Sequence, residues 1–138
     1  MQPEWLTEND IVEAMAKHLT AERWRVSHMC QTTEQGIDLI ATRGDERLVL
    51  EAKGGGSSKE GTRRFGMPFT NNQQGDHVAK AVFVACKLRS KEPKSRVAIA
   101  FPDTPTHRRC INSVATALER LAVWAYVVHS DLRVEQIL

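Results

Sequence analysis

Residues 37–53, IDLIATRGDERLVLEAK, hold two strand-like runs separated by Gly44, Asp45 and Glu46. Glycine tolerates the positive φ that mirror-image two-residue turns require, so Gly44–Asp45 predicts a hairpin loop. With that turn, residue 43 faces 46, and carrying the register outward pairs 42 with 47, 40 with 49 and 38 with 51. Asp38 then stands across from Glu51, and Lys53, two residues on, points the same way. The opposite face carries Ile37, Leu39, Ala41, Leu48, Leu50 and Ala52, all apolar, and is expected to be the core side. A one-residue slip would drop Asp38 into that apolar set, so burial and register select each other.

The rest of the chain supplies elements around this hairpin. Thr7 and Asp10 have capping-box spacing, and Ile11, Val12, Met15 and Leu19 recur at helical spacing, predicting a helix over 7–22. The segment RWRVSHMC alternates as a strand, followed by turn residues TTEQG. From 54 to 72 glycine, serine, lysine and arginine predominate, the composition of a mobile loop. Thr70 and Gln73 form a second possible capping box opening a helix to about residue 90. RVAIAF suits a buried strand, Pro105 a helix start, and VWAYVV a further strand. Strand, helix and strand in succession predict a right-handed parallel crossover. The tail from Ser130 to Leu138 fits no single element.

Composition narrows the class. With 138 residues and 41% hydrophobic content, one domain spanning 1–138 with a single core is expected. Nineteen basic against 17 acidic residues leave a formal charge of +2, so bulk charge does not announce a polyanion partner. Cys30, Cys86 and Cys110 are odd in number and never in a CxxC arrangement, which points away from a disulfide framework or zinc finger and towards a reducing compartment. The beginning MQPEWLTEND is polar and acidic where a secretory signal would be basic and then apolar, and no run approaches the ~18 apolar residues of a membrane span. A cytoplasmic protein without a membrane partner is expected.

Two carboxylates with Cβ atoms ~5 Å apart repel unless one is protonated or a cation sits between them. Oxygen-only ligands favour Mg²⁺ or Mn²⁺ over zinc, and magnesium keeps waters and open positions for phosphate oxygens. Such an ion lowers the pKa of bound water, and Lys53 could orient or deprotonate that water or offset transition-state charge. The chemistry that such a site implies is phosphodiester hydrolysis. The same three residues also suit a solvated cross-strand ion pair of little energetic weight.

The leading helix, GIDLIA with its Asp38, the hairpin, and LEAKG with Glu51 and Lys53 together resemble the PD-(D/E)xK nuclease superfamily, in particular its restriction-endonuclease-like and Holliday-junction-resolvase-like branches. Nearly the whole chain takes part, although Ile37 stands where the formal motif has proline. The resemblance implies an α/β fold, αβββαβαβ, with a central mixed sheet flanked by helices. It implies a Mg²⁺- or Mn²⁺-dependent endonuclease acting on nucleic acid, DNA foremost, and a possible homodimer. By position, Asp38 and Glu51 become metal ligands joined by the Ala52 carbonyl, and Lys53 the catalytic lysine.

Relatives often add a glutamate from the first helix, for which Glu8 and Glu13 are the candidates here. Glu8 also suits a helix's first turn and Glu13 an i,i+4 pair with Lys17. Gln73 and His77, one turn apart, match the place where relatives set residues beside the phosphate, and equally suit a cap and a solvated position. Lys59, Arg63 and Arg64, with Phe65 and Phe69 nearby, can follow a phosphate backbone and stack a base. The run KLRSKEPKSR, with five positive charges and one negative, reads first as a solvated connection and second as a nucleic-acid contact. His18, His28, His107 and His129 lack zinc-like spacing, and Trp5, Trp24 and Trp124 suit core or half-buried positions. The alternative function is a nucleic-acid-binding or assembly module that keeps this scaffold without turnover.

Overall fold

The structure is a computed structural model and describes residues 5–29, 37–56 and 68–138. The order of elements is α1 (Glu8–Ala21), β1 (Arg25–Met29), β2 (Leu39–Arg43), β3 (Glu46–Ala52), α2 (Asn71–Lys91), β4 (Arg96–Pro102), α3 (Pro105–Ser113), α4 (Ala115–Arg120), β5 (Val123–Val128) and β6 (Val134–Gln136). The strands form one six-stranded sheet in sequential order. The β1–β2, β2–β3 and β5–β6 pairs are antiparallel, whereas β3–β4 and β4–β5 are parallel. No helix among the described residues is long and apolar enough to cross a membrane.

Both predicted capping boxes close: Thr7 and Asp10 exchange hydrogen bonds of 2.8 and 3.1 Å, and Thr70 and Gln73 of 2.8 and 3.2 Å. The hairpin register is the predicted one, from Arg43↔Glu46 to Leu39↔Leu50, with Gly44 at φ 59° in the turn.

Burial corrects the expectation of one core side. Leu39, Ala41, Leu48, Leu50 and Ala52 pack under α1 with Ile11, Val12, Met15 and Leu19. Ile40 and Val49, on the other face, are equally buried beneath Val78, Ala81, Ala85 and Leu88 of α2, and Ile37 joins them rather than Leu39. Parallel crossovers lay helices on the sheet, so a hairpin continued by β4 and β5 is covered on both faces. Ile37 precedes the first residue of β2, so strand alternation does not reach it.

Two further differences are local. The stripe from Ile111 to Leu121 is interrupted at Val114, whose φ of −119° and ψ of 12° separate α3 from α4. The tail contains β6, which pairs with β5 through Val128↔Val134 and Tyr126↔Gln136. Arg89, from the basic run, ties the end of α2 to the approaches to β4 and β5 by donating to the carbonyls of Pro93 and Ser95 and of Leu121 and Ala122.

Candidate active site

Where the β2–β3 ladder ends, at Leu39↔Leu50, Asp38 continues the contact by different means. Its N–H donates to the Leu50 carbonyl (2.8 Å), and its Oδ2 accepts from the Ala52 N–H (2.8 Å). The side chain thus takes a position that a strand carbonyl would hold. It tethers Asp38 to the end of β3, which carries Glu51 and leads into Lys53. Glu51 is 4% exposed, and its Oε1 lies 2.9 Å from Lys53 Nζ. Lys53, whose side chain is 21% exposed, is the part of this pair that meets solvent.

The first turn of α1 brings in Glu8. It gets there because the three glycines after Lys53 allow a close backbone approach. A Cβ on Gly54 would lie 2.5 Å from the Glu8 nitrogen and 2.8 Å from the Thr7 carbonyl carbon. The Gly55 N–H donates to the Leu6 carbonyl (2.8 Å), and the Trp5 indole occupies the space a Gly56 side chain would need. Gly56 also bridges to Pro68, and the Phe69 N–H donates to Gly55 O (2.8 Å). Residues 54–56 and 68–70 therefore belong to the packed structure, correcting the expectation of one mobile loop from 54 to 72. The missed signal was the run of glycine itself, which marks close packing as well as flexibility.

The electrostatics follow from this crowding. Burial pushes Glu8 up to about 7, assisted by the charge of Asp38, opposed by Lys53, and assisted again by Glu51 and a hydrogen bond to Asp38. Burial likewise pushes Glu51 up to about 7, with the Asp38 charge adding to it and the Lys53 ammonium opposing. For Lys53, burial works against the charged form, but the hydrogen bond and charge of Glu51, then Glu8 and Asp38, outweigh it and raise its pKa. Lys53 therefore keeps its proton at neutral pH. Three carboxyl groups and one ammonium share a site in which full ionisation is unfavourable.

The other candidates separate cleanly. Glu13 is exposed and, with Asp10, Lys17, His18, Leu132 and Val134, lines a depression of about 290 Å³ on a different part of α1. The Gln73 side chain is engaged in its cap. His77 meets the edge of Phe69, with ring centroids 4.2 Å apart, and its pKa is lowered by burial, then by Lys53 and Lys80. Lys59, Arg63, Arg64 and Phe65 lie outside the described residues. His107, which spacing arguments set aside, is 0% exposed. It stacks on Phe101 and hydrogen-bonds through Nδ1 to Thr104 Oγ1 (2.8 Å), which in turn donates to Gln74 (2.9 Å).

Whether these side chains suit a metal ion is decided by donor chemistry. The acceptors are carboxylate oxygens, the set that hard cations take. Among the described residues no three His, Cys, Asp or Glu are spaced to enclose an ion. The fit is therefore to a cation that takes two carboxylates, Asp38 and Glu51, and fills its remaining positions with water or substrate oxygens, as magnesium does.

No protein-family profile matches this chain, and no curated protein does either. Two crystal structures share its fold: an XisH family protein from Nostoc punctiforme and an fdxN element excision controlling factor protein from Anabaena variabilis. Each is 14% identical and aligns with a TM-score of 0.56 over 94% of this chain, covering 99% and 98% of their own lengths. At that identity the likeness is one of architecture, a mixed sheet flanked by helices, matched from end to end.

Proposed function

We propose that this chain is a divalent-metal-dependent nuclease of the PD-(D/E)xK kind, acting on DNA. The observation that carries it is the convergence of Glu8, Asp38, Glu51 and Lys53 at the end of β3, delivered there by three separate segments. A salt bridge needs one acid per base, and this site holds three acids around one ammonium. The excess of negative charge is what a cation would relieve.

In this function Asp38 and Glu51, with the Ala52 carbonyl, hold Mg²⁺ or Mn²⁺. Bound there, the ion supplies Lewis acidity towards a phosphate oxygen and lowers the pKa of a coordinated water. Lys53, which stays protonated, orients the attacking water and offsets charge on the pentavalent phosphate as the water's oxygen–phosphorus bond forms and the ester bond breaks. Glu8 offers that water a further acceptor. His77, beside Lys53, and the basic residues Lys59, Arg63 and Arg64 serve the substrate's phosphates. One structural neighbour's description as an excision controlling factor, a DNA process, agrees with DNA as substrate.

A second reading, a nucleic-acid-binding or assembly module without turnover, draws on the same site. Lys53 already satisfies Glu51, and no three-ligand cage is present among the described residues. The two part in a cleavage panel of plasmid, linear and branched DNA and of RNA, with Mg²⁺ or Mn²⁺. The nuclease cuts at least one DNA form, loses cutting in Asp38→Ala and Lys53→Met, and keeps binding in both. Intact substrates under every condition, with binding retained, leave only the module.

A further inference from the structure

The basic run that spans the end of α2 divides in the structure. Arg89 is consumed by four carbonyls, and the Arg96 guanidinium lies 4.2 Å from the Trp124 ring centroid. Lys87 and Lys91 instead share the outer face of α2 with Asp76, Lys80 and Phe83, all exposed. At about 100° per residue these five fall within an arc of about 80°, opposite Val78, Ala81, Ala85 and Leu88 in the core. Asp76 is the sole acid among the residues of α2. Phe83 is 63% exposed in the middle of the stripe, with Lys87 Nζ 5.1 Å from its ring centroid.

We propose that this face of α2 is a track for the nucleic-acid strand that leaves the candidate active site, an inference that rests on the nuclease reading above. The position of α2 gives the direction. Its first turns adjoin the site, since His77 packs on Phe69 (ring centroids 4.2 Å apart), whose N–H donates to the carbonyl of Gly55, two residues after Lys53, and the stripe runs from there to the far end of the helix. Lys80 to Lys91 covers about 16 Å of helix axis, the axial length of about five phosphates of one duplex strand. Lysines neutralise phosphates and an exposed aromatic ring stacks a base, the combination that holds single-stranded nucleic acid without reading its sequence. A second copy of the chain is a poorer occupant, because a two-fold contact would set lysines against lysines.

The test is fluorescence anisotropy of the full chain with labelled duplex and single-stranded DNA in EDTA, across a range of salt. Lys80→Ala/Lys87→Ala/Lys91→Ala should make the log K against log salt slope on duplex shallower by about 2.7, at about 0.9 per phosphate contact. The corresponding triple Lys→Arg variant should keep the slope. Phe83→Ala should weaken single-strand binding about 5- to 150-fold. An unchanged slope and affinity in the alanine triple variant overturns the track, as does a Phe83→Ala variant that dissolves a self-associated state and leaves DNA binding intact. Cleavage scored in parallel keeps the two ideas apart. Lysine-dependent binding without any cleavage sinks the nuclease and not the track, and cleavage with lysine-independent binding does the reverse.

Discussion

Gly54→Ala tests whether close packing of the glycine run places Glu8. The added methyl would sit 2.5 Å from the Glu8 nitrogen, where ordinary contact begins at 3.4 Å, so the first turn of α1 must retreat by about 0.9 Å. Both crowded atoms are backbone, and no rotamer change relieves them. Overpacking of this kind costs about 1–3 kcal/mol, offset by about 0.4–1 kcal/mol from the stiffer unfolded chain. The expected net loss is about 1–2 kcal/mol, a fall in Tm of about 4–8 °C for a chain of this length. Function should suffer more, since a displacement near 1 Å of a group at the reacting centre costs about a hundredfold in rate. The control is Gly44→Ala, where a Cβ meets nothing within 4 Å and the φ of 59° is the sole strain. That variant should lose about 1 kcal/mol with full cleavage retained. Thermal denaturation and a nicking assay read both. Gly54→Ala with wild-type stability and rate would refute the claim that the glycine run positions Glu8.

Other outcomes follow from the charges. Glu8 and Glu51 are raised from 4.5 to about 7, so the folded state binds protons more tightly. In EDTA their contribution is fully present below about pH 4.5 and lost as pH rises through about 7, and Glu51→Gln should flatten that stretch of a urea-denaturation profile. Mg²⁺ should raise Tm more at pH 8 than at pH 5, because it competes with those protons, and Asp38→Ala should abolish the difference. His107 has the opposite sign. Burial, then the charge of His77, holds it down to about 4, so stability is lost as pH falls from about 6.5 towards 4, and His107→Phe should remove that acid-side slope.

The legible parts of this fold were those where one local rule acts alone. The capping boxes at Thr7 and Thr70 and the hairpin register each depend on residues within a few positions of one another, and each formed as read. The double-sided burial of β2 and β3 was less legible, because Ile40 and Val49 face a helix that begins 22 residues after Val49. The tail strand β6 was invisible for the same reason. Its three residues carry one apolar side chain, and its place comes from pairing with β5.

The candidate site shows the same division more sharply. Asp38, Glu51 and Lys53 lie on or just beyond one hairpin, so the turn brings their segments together, and hydrogen bonds of Asp38 to Leu50 and Ala52 hold it there past the end of the ladder. Glu8 is 30 residues from Asp38 and shares no local pattern with it; it lies on the helix stripe of Val12, Met15 and Leu19, from which Glu13 projects away, but that stripe does not say what the start of α1 packs against. What brings Glu8 to the site is Gly54, a residue that in one dimension reads as the start of a flexible segment. Packed against Thr7 and Glu8, it acts as a spacer of zero width, setting the distance between α1 and the end of β3. A fourth acidic or basic group can therefore join a three-residue site through the absence of a side chain elsewhere. An EAKG or EAKGG sequence preceded, far back in the chain, by a capped helix start is the pattern by which such a partner can be sought.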